Sequence, residues 1–200
     1  MAVTDAYSTA GTYRSAIGKI DTGDDAEILT DLTAISRYLD LRLGRFFTKD
    51  AAAVKRYYMG DGQVVLYVDD LVSVTTIKID TDLDGSFADE TALATTDYEL
   101  LPRNVDVGPE PQPYRSIGLT DYGTKGVWTP IARIEIDAVW GWPAVPDAIK
   151  RACIQLTGIL RLETPRAQAT VSEIGQVVQM SGKAMGIVED LHRHYARVSI

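Results

Sequence analysis

The fold of this chain is decided by the stretch Val139-Trp140-Gly141-Trp142-Pro143-Ala144-Val145-Pro146. Apolar and polar residues alternate with a period of two over residues 131–139, which is typical of a β-strand. After the stretch, apolar residues recur at helical spacing from Ile149 onward. Pro146 suits a first helical turn, because its missing N–H loses no hydrogen bond there. We therefore expect a strand that ends sharply and is followed directly by an amphipathic helix.

Two further helices are predicted near the N-terminal end. Ser8 or Thr9 can cap a short helix that ends at Gly18. A second helix follows Asp24 and ends at Gly44, with acidic residues in its first turns and arginines near its end, as the helix dipole prefers. Its apolar residues are spaced by three or four: Ile28, Leu32, Ile35, Leu39 and Leu43.

Between the second helix and the deciding stretch, the period changes to that of strands. Residues 54–59 and 63–68 are joined by Gly60-Asp61-Gly62, and this pattern predicts a β-hairpin. The remaining segments predict two strands over residues 71–79 and 96–101, a proline-rich loop over 105–113, and an ambiguous excursion over 114–128.

The C-terminal residues have weaker patterns. The pair Thr164-Pro165 predicts the end of the preceding helix, residues 170–182 predict a weak strand or a mobile arm, and residues 187–195 predict a last short helix. The predicted fold class is α+β, with residues 1–200 as one domain: a helical frame (8–46 and 146–163), an antiparallel β insert (53–141) and a C-terminal arm (164–200). We expect the following residues in the core: Leu32, Ile35, Leu39, Trp140, Ile149, Cys153 and Leu156.

Composition argues against several classes of protein. No apolar run approaches the roughly 18 to 20 residues that a membrane helix needs, and the first residues do not form a signal peptide. We therefore expect a soluble protein, made in the cytoplasm, without a membrane partner. The single cysteine, Cys153, argues against a disulfide framework and lies on an apolar helical stripe, so we interpret it as a core residue. No nucleophile-elbow or dinucleotide motif is present, and we expect neither enzymatic activity nor a cofactor.

The charge of the chain is concentrated in its first half. The formal net charge is −8, and residues 61–99 hold ten acidic residues and one basic residue, Lys78. Such a surface repels phosphate, so we expect DNA to pass nearby without being bound. A base-stacking platform would need basic residues among its aromatic residues. Only Lys55 and Arg56 lie near the pair Tyr57-Tyr58, so we interpret this pair together with Trp128, Trp140 and Trp142 as packing between insert and helices; a contact surface is the alternative.

One acidic run resembles part of a calcium loop. Asp80, Asp82, Asp84 and Gly85 match its first half, in which alternate carboxylates and a turn glycine surround a hard cation. The second half does not match, because position twelve falls on Thr91 and the flanking segments are predicted strands. We interpret the run as a plain acidic turn and assign no metal site; weak Ca²⁺ or Mg²⁺ binding is the alternative.

The chain resembles the head-to-tail connector (adaptor, or head-completion) proteins of long-tailed phages and gene transfer agents. The deciding stretch, with its WGW, valine-proline pair and following amphipathic helix, is similar to a device in that family. Further similar motifs follow the same order between residues 7 and 163: Thr12 to Gly18, Asp24-Asp25 with Ile28 and Leu32, Ser36 to Asp40 with Gly44 to Phe47, Val68 to Leu71, and Thr96 to Pro102.

The resemblance implies a non-catalytic structural protein of the virion neck, made in the host cytoplasm. Copies would form a ring, expected to be a dodecamer, beneath the portal protein. The ring would extend the DNA channel and dock the next neck or tail-completion protein. The main alternative is a β-rich binding module of a phage tail or of the cytoplasm, with weak calcium binding at Asp80–Asp84.

The C-terminal arm is the candidate for attachment to the portal. It contains Gly175, Gly182 and Gly186 and ends on a mildly basic amphipathic segment, which would order on a negatively charged partner. In that case deleting residues 185–200 leaves the fold intact and abolishes docking; in the alternative, the last helix packs on its own subunit. The candidate portal-binding residues are Ile187, Val188, Leu191, Arg193, Tyr195 and Arg197.

Overall fold

Two of the helices that the structure describes begin or end at clear local signals. In the computed structural model, which describes residues 6–108, 110–120, 126–167 and 182–196, α1 spans Ala10–Ile17 and α2 spans Asp25–Leu43. Thr9 caps α1 by accepting a hydrogen bond from the Thr12 N–H at 3.1 Å. Gly18 and Gly44 end α1 and α2 with φ angles of 70° and 64°, which favour glycine. The other two helices are α3, Asp147–Ala167, and α4, Gly182–Tyr195.

The third helix is longer than the sequence predicts. We expected the pair Thr164-Pro165 to end it, but α3 continues to Ala167. Proline removes one N–H from the helical hydrogen bonds, and near the end of a helix this loss is limited to a single turn. The predicted weak strand or arm over residues 170–182 lies outside the described residues, except for Gly182 at the start of α4.

The chain divides into two units. A helical unit comprises Met1–Arg45 and Val145–Ile200, and a β unit comprises Phe46–Ala144. Within the helical unit, α2 packs against α1, α3 and α4, and α3 also packs against α4. None of the described helices combines the length and the apolar character that crossing a membrane requires. The buried side chains of this unit include Tyr13, Ile28, Leu32, Ile35, Leu39, Leu43, Ile149, Cys153, Leu156, Ala184, Val188 and Leu191.

The β unit is one antiparallel sheet of five strands among its described residues. The strands are β1, Val54–Met59; β2, Val65–Ile79; β3, Tyr98–Leu101; β4, Tyr114–Leu119; and β5, Arg133–Trp140. Their order across the sheet is β1-β5-β2-β4-β3. With its helices and antiparallel sheet the protein has an α+β fold, as predicted.

The predicted hairpin is wrong. Strand β1 pairs with β5, and β5 lies between β1 and β2. The Gly60 N–H donates to the Ala132 carbonyl at 2.9 Å, and a Cβ atom on Gly60 would lie 2.0 Å from the Thr129 carbonyl oxygen. Gly60 is therefore required by the close approach of the segment before β5, and Gly60-Asp61-Gly62 is not a hairpin turn between paired strands.

The strands predicted over residues 63–68 and 71–79 are one continuous strand, β2, which begins at Val65. The structure has β2 running through Asp69 and Asp70, and the pairing with β4 shifts register between Tyr67 and Leu71. The sequence predicted separate strands on either side of this acidic pair. Both carboxylates are bonded to neighbouring side chains, so the strand continues through them.

Candidate functional site

The junction after β5 depends on a glycine. Gly141 has a φ of 105°, and its N–H donates to the Asp70 carbonyl at 2.7 Å. A Cβ atom at this position would lie 2.0 Å from the carbonyl oxygen of Thr48. The sharp end of β5 at Trp140 that the sequence predicted is therefore produced by backbone contacts that exclude any side chain at Gly141.

The tryptophans on either side of Gly141 are interior residues of the β unit. Trp140 donates from Nε1 to the Val54 carbonyl at 2.6 Å, and Trp142 packs against Phe47 with ring centroids 5.1 Å apart. Trp128 is also buried. These contacts of Trp140 and Trp142 lie within the β unit, and all three tryptophan rings are buried. Their burial is incompatible with a base-stacking platform, which must be open to solvent.

The acidic pair in β2 orients these aromatic residues. The carboxylate of Asp69 accepts hydrogen bonds from Arg56 at 2.8 Å and from the Tyr58 hydroxyl at 3.1 Å. The carboxylate of Asp70 accepts from Trp142 Nε1 at 3.0 Å. Burial raises the pKa of Tyr58 to about 12, so its hydroxyl remains a proton donor to Asp69 at neutral pH. Both carboxylates are therefore structural.

The acidic loop, residues 80–90, follows the end of β2 and brings separate carboxylates together. Oxygen atoms of Asp80, Asp82 and Glu90 all lie within 4.8 Å of one another, and so do those of a second group, Asp82, Asp84 and Asp89. Asp82 belongs to both groups. Lys78, the only basic residue among residues 61–99, donates to the Phe87 carbonyl at 2.6 Å.

The sequence motif predicted only part of these groups. It identified Asp80, Asp82 and Asp84 as neighbours, but the structure places Asp84 in a group without Asp80. The motif did not identify Glu90, because position twelve of a calcium loop falls on the next residue, Thr91. In this loop the carboxylates are placed by backbone turns, with positive φ at Leu83 (63°) and Gly85 (84°). The ligand spacing of a calcium loop between two helices therefore does not apply.

Helix α4 belongs to the helical unit, which favours the alternative in which the last helix packs on its own subunit. Val188 and Leu191 are each 6% exposed, and Arg45 Nη1 donates to the Tyr195 carbonyl at 3.2 Å. Deleting residues 185–200 would therefore remove contacts within the helical unit. Among the candidate portal-binding residues, Val188 and Leu191 are buried, Ile187 and Tyr195 are half-buried, Arg193 is exposed, and Arg197 lies outside the described residues.

The seven core candidates are buried in the two units, including the only cysteine. The Cys153 thiol lies 3.5 Å from the Leu32 carbonyl and 3.4 Å from the Ser36 hydroxyl. Burial raises the pKa of Cys153. A nucleophilic cysteine requires a lowered pKa and access to solvent, so this thiol is not suited to catalysis.

The fold is similar to that of chains from the neck of a gene transfer agent. One similar chain is from the neck of an empty gene transfer agent particle, computed with C6 symmetry: the TM-score is 0.54 at 15% identity, over 96% of this chain and 90% of that one. A second is from the virion of the native particle, with a TM-score of 0.52, 15% identity and the same coverage. The sequence matches no protein-family model and no curated protein.

Proposed function

We propose that this protein is a non-catalytic structural protein of a virion neck, located at the head-tail interface. The observation that carries the proposal is the shared fold, which extends over 96% of the chain and therefore includes both units. A shared fold alone does not fix a function. The ordered motifs that resemble head-to-tail connectors support the same assignment from the sequence.

In this proposal, copies of the chain form a ring under the portal protein, extend the DNA channel and dock the next neck or tail-completion protein. A head-to-tail contact between identical subunits closes into a ring when its rotation divides a full turn. The similar chain comes from a neck computed with C6 symmetry, and a ring of twelve subunits is compatible with sixfold symmetry. We propose a dodecamer.

The charge of the β unit supports a position beside passing DNA. The acidic loop contributes five carboxylates to a chain of net charge −8. At this density the surface repels the phosphate backbone, and binding that depends on counterion release is disfavoured. DNA can then slide past the ring without being retained.

The isolated protein is expected to be a monomer or a loose mixture, with the ring forming on the portal. The core side chains of both units are buried, and the exposed large apolar residues, among them Ile20, Leu41 and Val107, are scattered along the sequence, which favours a loose contact over an obligate, core-like interface. Light scattering on the purified protein measures its mass. A stable dimer with a large apolar interface would contradict this part of the proposal.

The decisive experiment uses DNA-filled, portal-bearing heads that lack this protein. Purified protein is added, the heads are sedimented, and the bound protein is quantified against heads without a portal vertex. We expect saturable binding that requires the portal vertex, in an amount corresponding to one ring per head. Equal binding to both kinds of head, or none, refutes the neck assignment and favours the binding-module alternative.

The exposed face of α4 is the proposed portal contact, represented by Arg193. We expect Arg193→Glu to reduce binding to portal-bearing heads while the melting temperature stays unchanged, since this side chain is exposed. Arg115→Glu is the matched control, because it makes the same charge change at an exposed position of β4 in the β unit. Equal binding by both variants excludes Arg193 as a contact without affecting the ring proposal.

A further inference from the structure

A buried carboxylate oxygen of the acidic loop lacks a hydrogen-bond donor. Asp80 is 1% exposed; its Oδ2 accepts from the Gly85 N–H at 3.0 Å, but its Oδ1 is buried and has no partner among the described residues. Leaving a charged acceptor unsatisfied in the interior is costly. Such an atom in an ordered fold indicates a bound water or ion.

We infer that the acidic loop is a binding site for a divalent cation, with Asp80, Asp82 and Glu90 as carboxylate ligands. Calcium–oxygen distances are about 2.3–2.6 Å, so two ligands on one ion lie at most about 5 Å apart. The oxygens of this group lie within 4.8 Å of one another. They can therefore contact a single Ca²⁺ without a rearrangement of the loop backbone.

Existing hydrogen bonds hold two of the ligands. Glu90 accepts from both the N–H and the hydroxyl of Thr81, with the hydroxyl 2.8 Å from Oε1 and 3.1 Å from Oε2. Asp82 Oδ1 accepts from the Asp84 N–H at 3.2 Å, and a carboxylate has about four lone-pair sites, so one donor leaves Asp82 able to bind an ion. These bonds hold the ligands in place, which reduces the entropy that must be lost when the ion binds.

The chemistry of the loop favours calcium over other divalent ions. All the candidate ligands are oxygens, which suit hard cations and not Zn²⁺, which prefers nitrogen and sulfur. An irregular loop with two overlapping groups tolerates the flexible geometry of Ca²⁺ better than the strict octahedron of Mg²⁺. The second group, Asp82, Asp84 and Asp89, adds negative charge next to the site and attracts the cation.

Calcium binding is tested by titration calorimetry on the chelator-treated full-length protein. We expect a dissociation constant of about 10⁻³ M or tighter, in the range of extracellular calcium modules, and weaker binding of Mg²⁺. We also expect the melting temperature to rise with added Ca²⁺, because a ligand that binds only the folded state stabilises it. If neither heat of binding nor a shift of the melting temperature is observed at ten times that concentration, the inference is overturned.

Substitutions identify the ligands. Asp82→Asn and Glu90→Gln are the diagnostic variants, because these side chains are exposed and half-buried, whereas Asp80 also supports the loop through Gly85. Each is expected to weaken Ca²⁺ binding at least about tenfold and to abolish the melting shift. Asp106→Asn, an exposed acid of the same unit outside the loop, is expected to bind like the wild type.

Two results overturn the assignment of the ligands. If Asp106→Asn weakens binding as much as Asp82→Asn does, the effect is one of overall charge and the loop is not a site. If Asp84→Asn abolishes binding while Glu90→Gln has no effect, the ion is held by the second group instead. Both outcomes are independent of binding to portal-bearing heads, so they leave the neck proposal unaffected.

Discussion

Replacing Trp140 by alanine is expected to destabilise the β unit without removing a docking contact. The indole is 1% exposed, donates to the Val54 carbonyl at 2.6 Å and lies 4.5 Å from the Arg56 guanidinium. Truncating a buried tryptophan to alanine costs about 3–5 kcal/mol, because apolar burial is lost and a cavity remains. A loss of this size is a large share of the stability of a typical domain.

The conservative variant Trp140→Phe separates packing from hydrogen bonding. Phenylalanine retains most of the apolar contact with Tyr58, whose ring centroid is 5.9 Å away, but has no donor for the Val54 carbonyl. A neutral hydrogen bond contributes about 0.5–1.5 kcal/mol. We therefore expect Trp140→Phe to cost less than half as much as Trp140→Ala.

Urea unfolding followed by tryptophan fluorescence measures both variants. Trp128 and Trp142 remain in the β unit after the substitution, so the signal still reports on this unit. Tyr67→Ala is the control: its ring is 61% exposed on β2, and we expect a change within about 0.5 kcal/mol. If Trp140→Ala unfolds at the wild-type urea concentration but no longer binds heads, Trp140 is a contact residue and the packing argument fails.

Three further predictions concern other parts of the fold. Leu156→Ala, at a residue 1% exposed, is expected to cost about 2–5 kcal/mol by far-UV circular dichroism in urea, while Leu162→Ala on the same helix, 75% exposed, should be close to neutral. Gly141→Ala is expected to reduce stability by more than the roughly 1–2 kcal/mol that a left-handed backbone alone costs, because the new Cβ atom would clash with the Thr48 carbonyl. Gly126→Ala is the control, since Gly126 has open space around it. Equal melting temperatures of the two variants would refute the close approach at Gly141. Burial raises the pKa of Asp40, and the hydrogen bond from Tyr7 and the charge of Arg37 only partly oppose this shift. The folded state therefore binds the Asp40 proton more tightly than the unfolded state does. As the pH rises from about 3.8 through the folded pKa, the contribution of Asp40 to the unfolding free energy falls. Asp40→Asn is expected to show a smaller decline over that window in urea titrations, and an unchanged pH dependence would contradict the shift.

Local signals in the sequence predicted the ends of the first two helices. Gly18 and Gly44 end α1 and α2 as expected, because a left-handed residue at the end of a helix is a local requirement of the backbone. The end of β5 before Gly141 was predicted for a similar reason. In each case the glycine that indicates the end in the sequence is also the residue whose backbone conformation produces it.

Strand pairing was not predictable from the same kind of signal. The glycines after β1 are typical of a hairpin, but the partner of β1 is β5, far along the chain. That pairing is decided by the burial of β5, in which Ile134, Ile136 and Ala138 are fully buried. A strand with this many buried side chains is stabilised more by two flanking strands than by an edge position, because more of its apolar surface is removed from water. A local turn motif does not outweigh this free energy.

The candidate site depends on loop conformation in the same way. The spacing of Asp80, Asp82 and Asp84 suggested one group of ligands, whereas the turns at Leu83 and Gly85 bring Glu90 to Asp80 and Asp82 and separate Asp84 from Asp80. Sequence spacing reports distance only within a regular element. In the sequence, Glu90 was detectable as a ligand only because it lies one residue before Thr91, the twelfth position of the calcium-loop pattern.

A fold shared at 15% identity indicates which features of this sequence specify the structure. A core accepts exchanges among apolar residues when pattern and total volume are kept, so positions such as Ile136 and Leu156 need only remain apolar. Gly60 and Gly141 differ from them, because a Cβ atom at either position would lie 2.0 Å from a backbone carbonyl oxygen. When the two structures are superposed, we expect glycine at these two positions, apolar residues along β5, and little identity on the surface. Contacts with binding partners lie on protein surfaces in general, and they change when the partner changes.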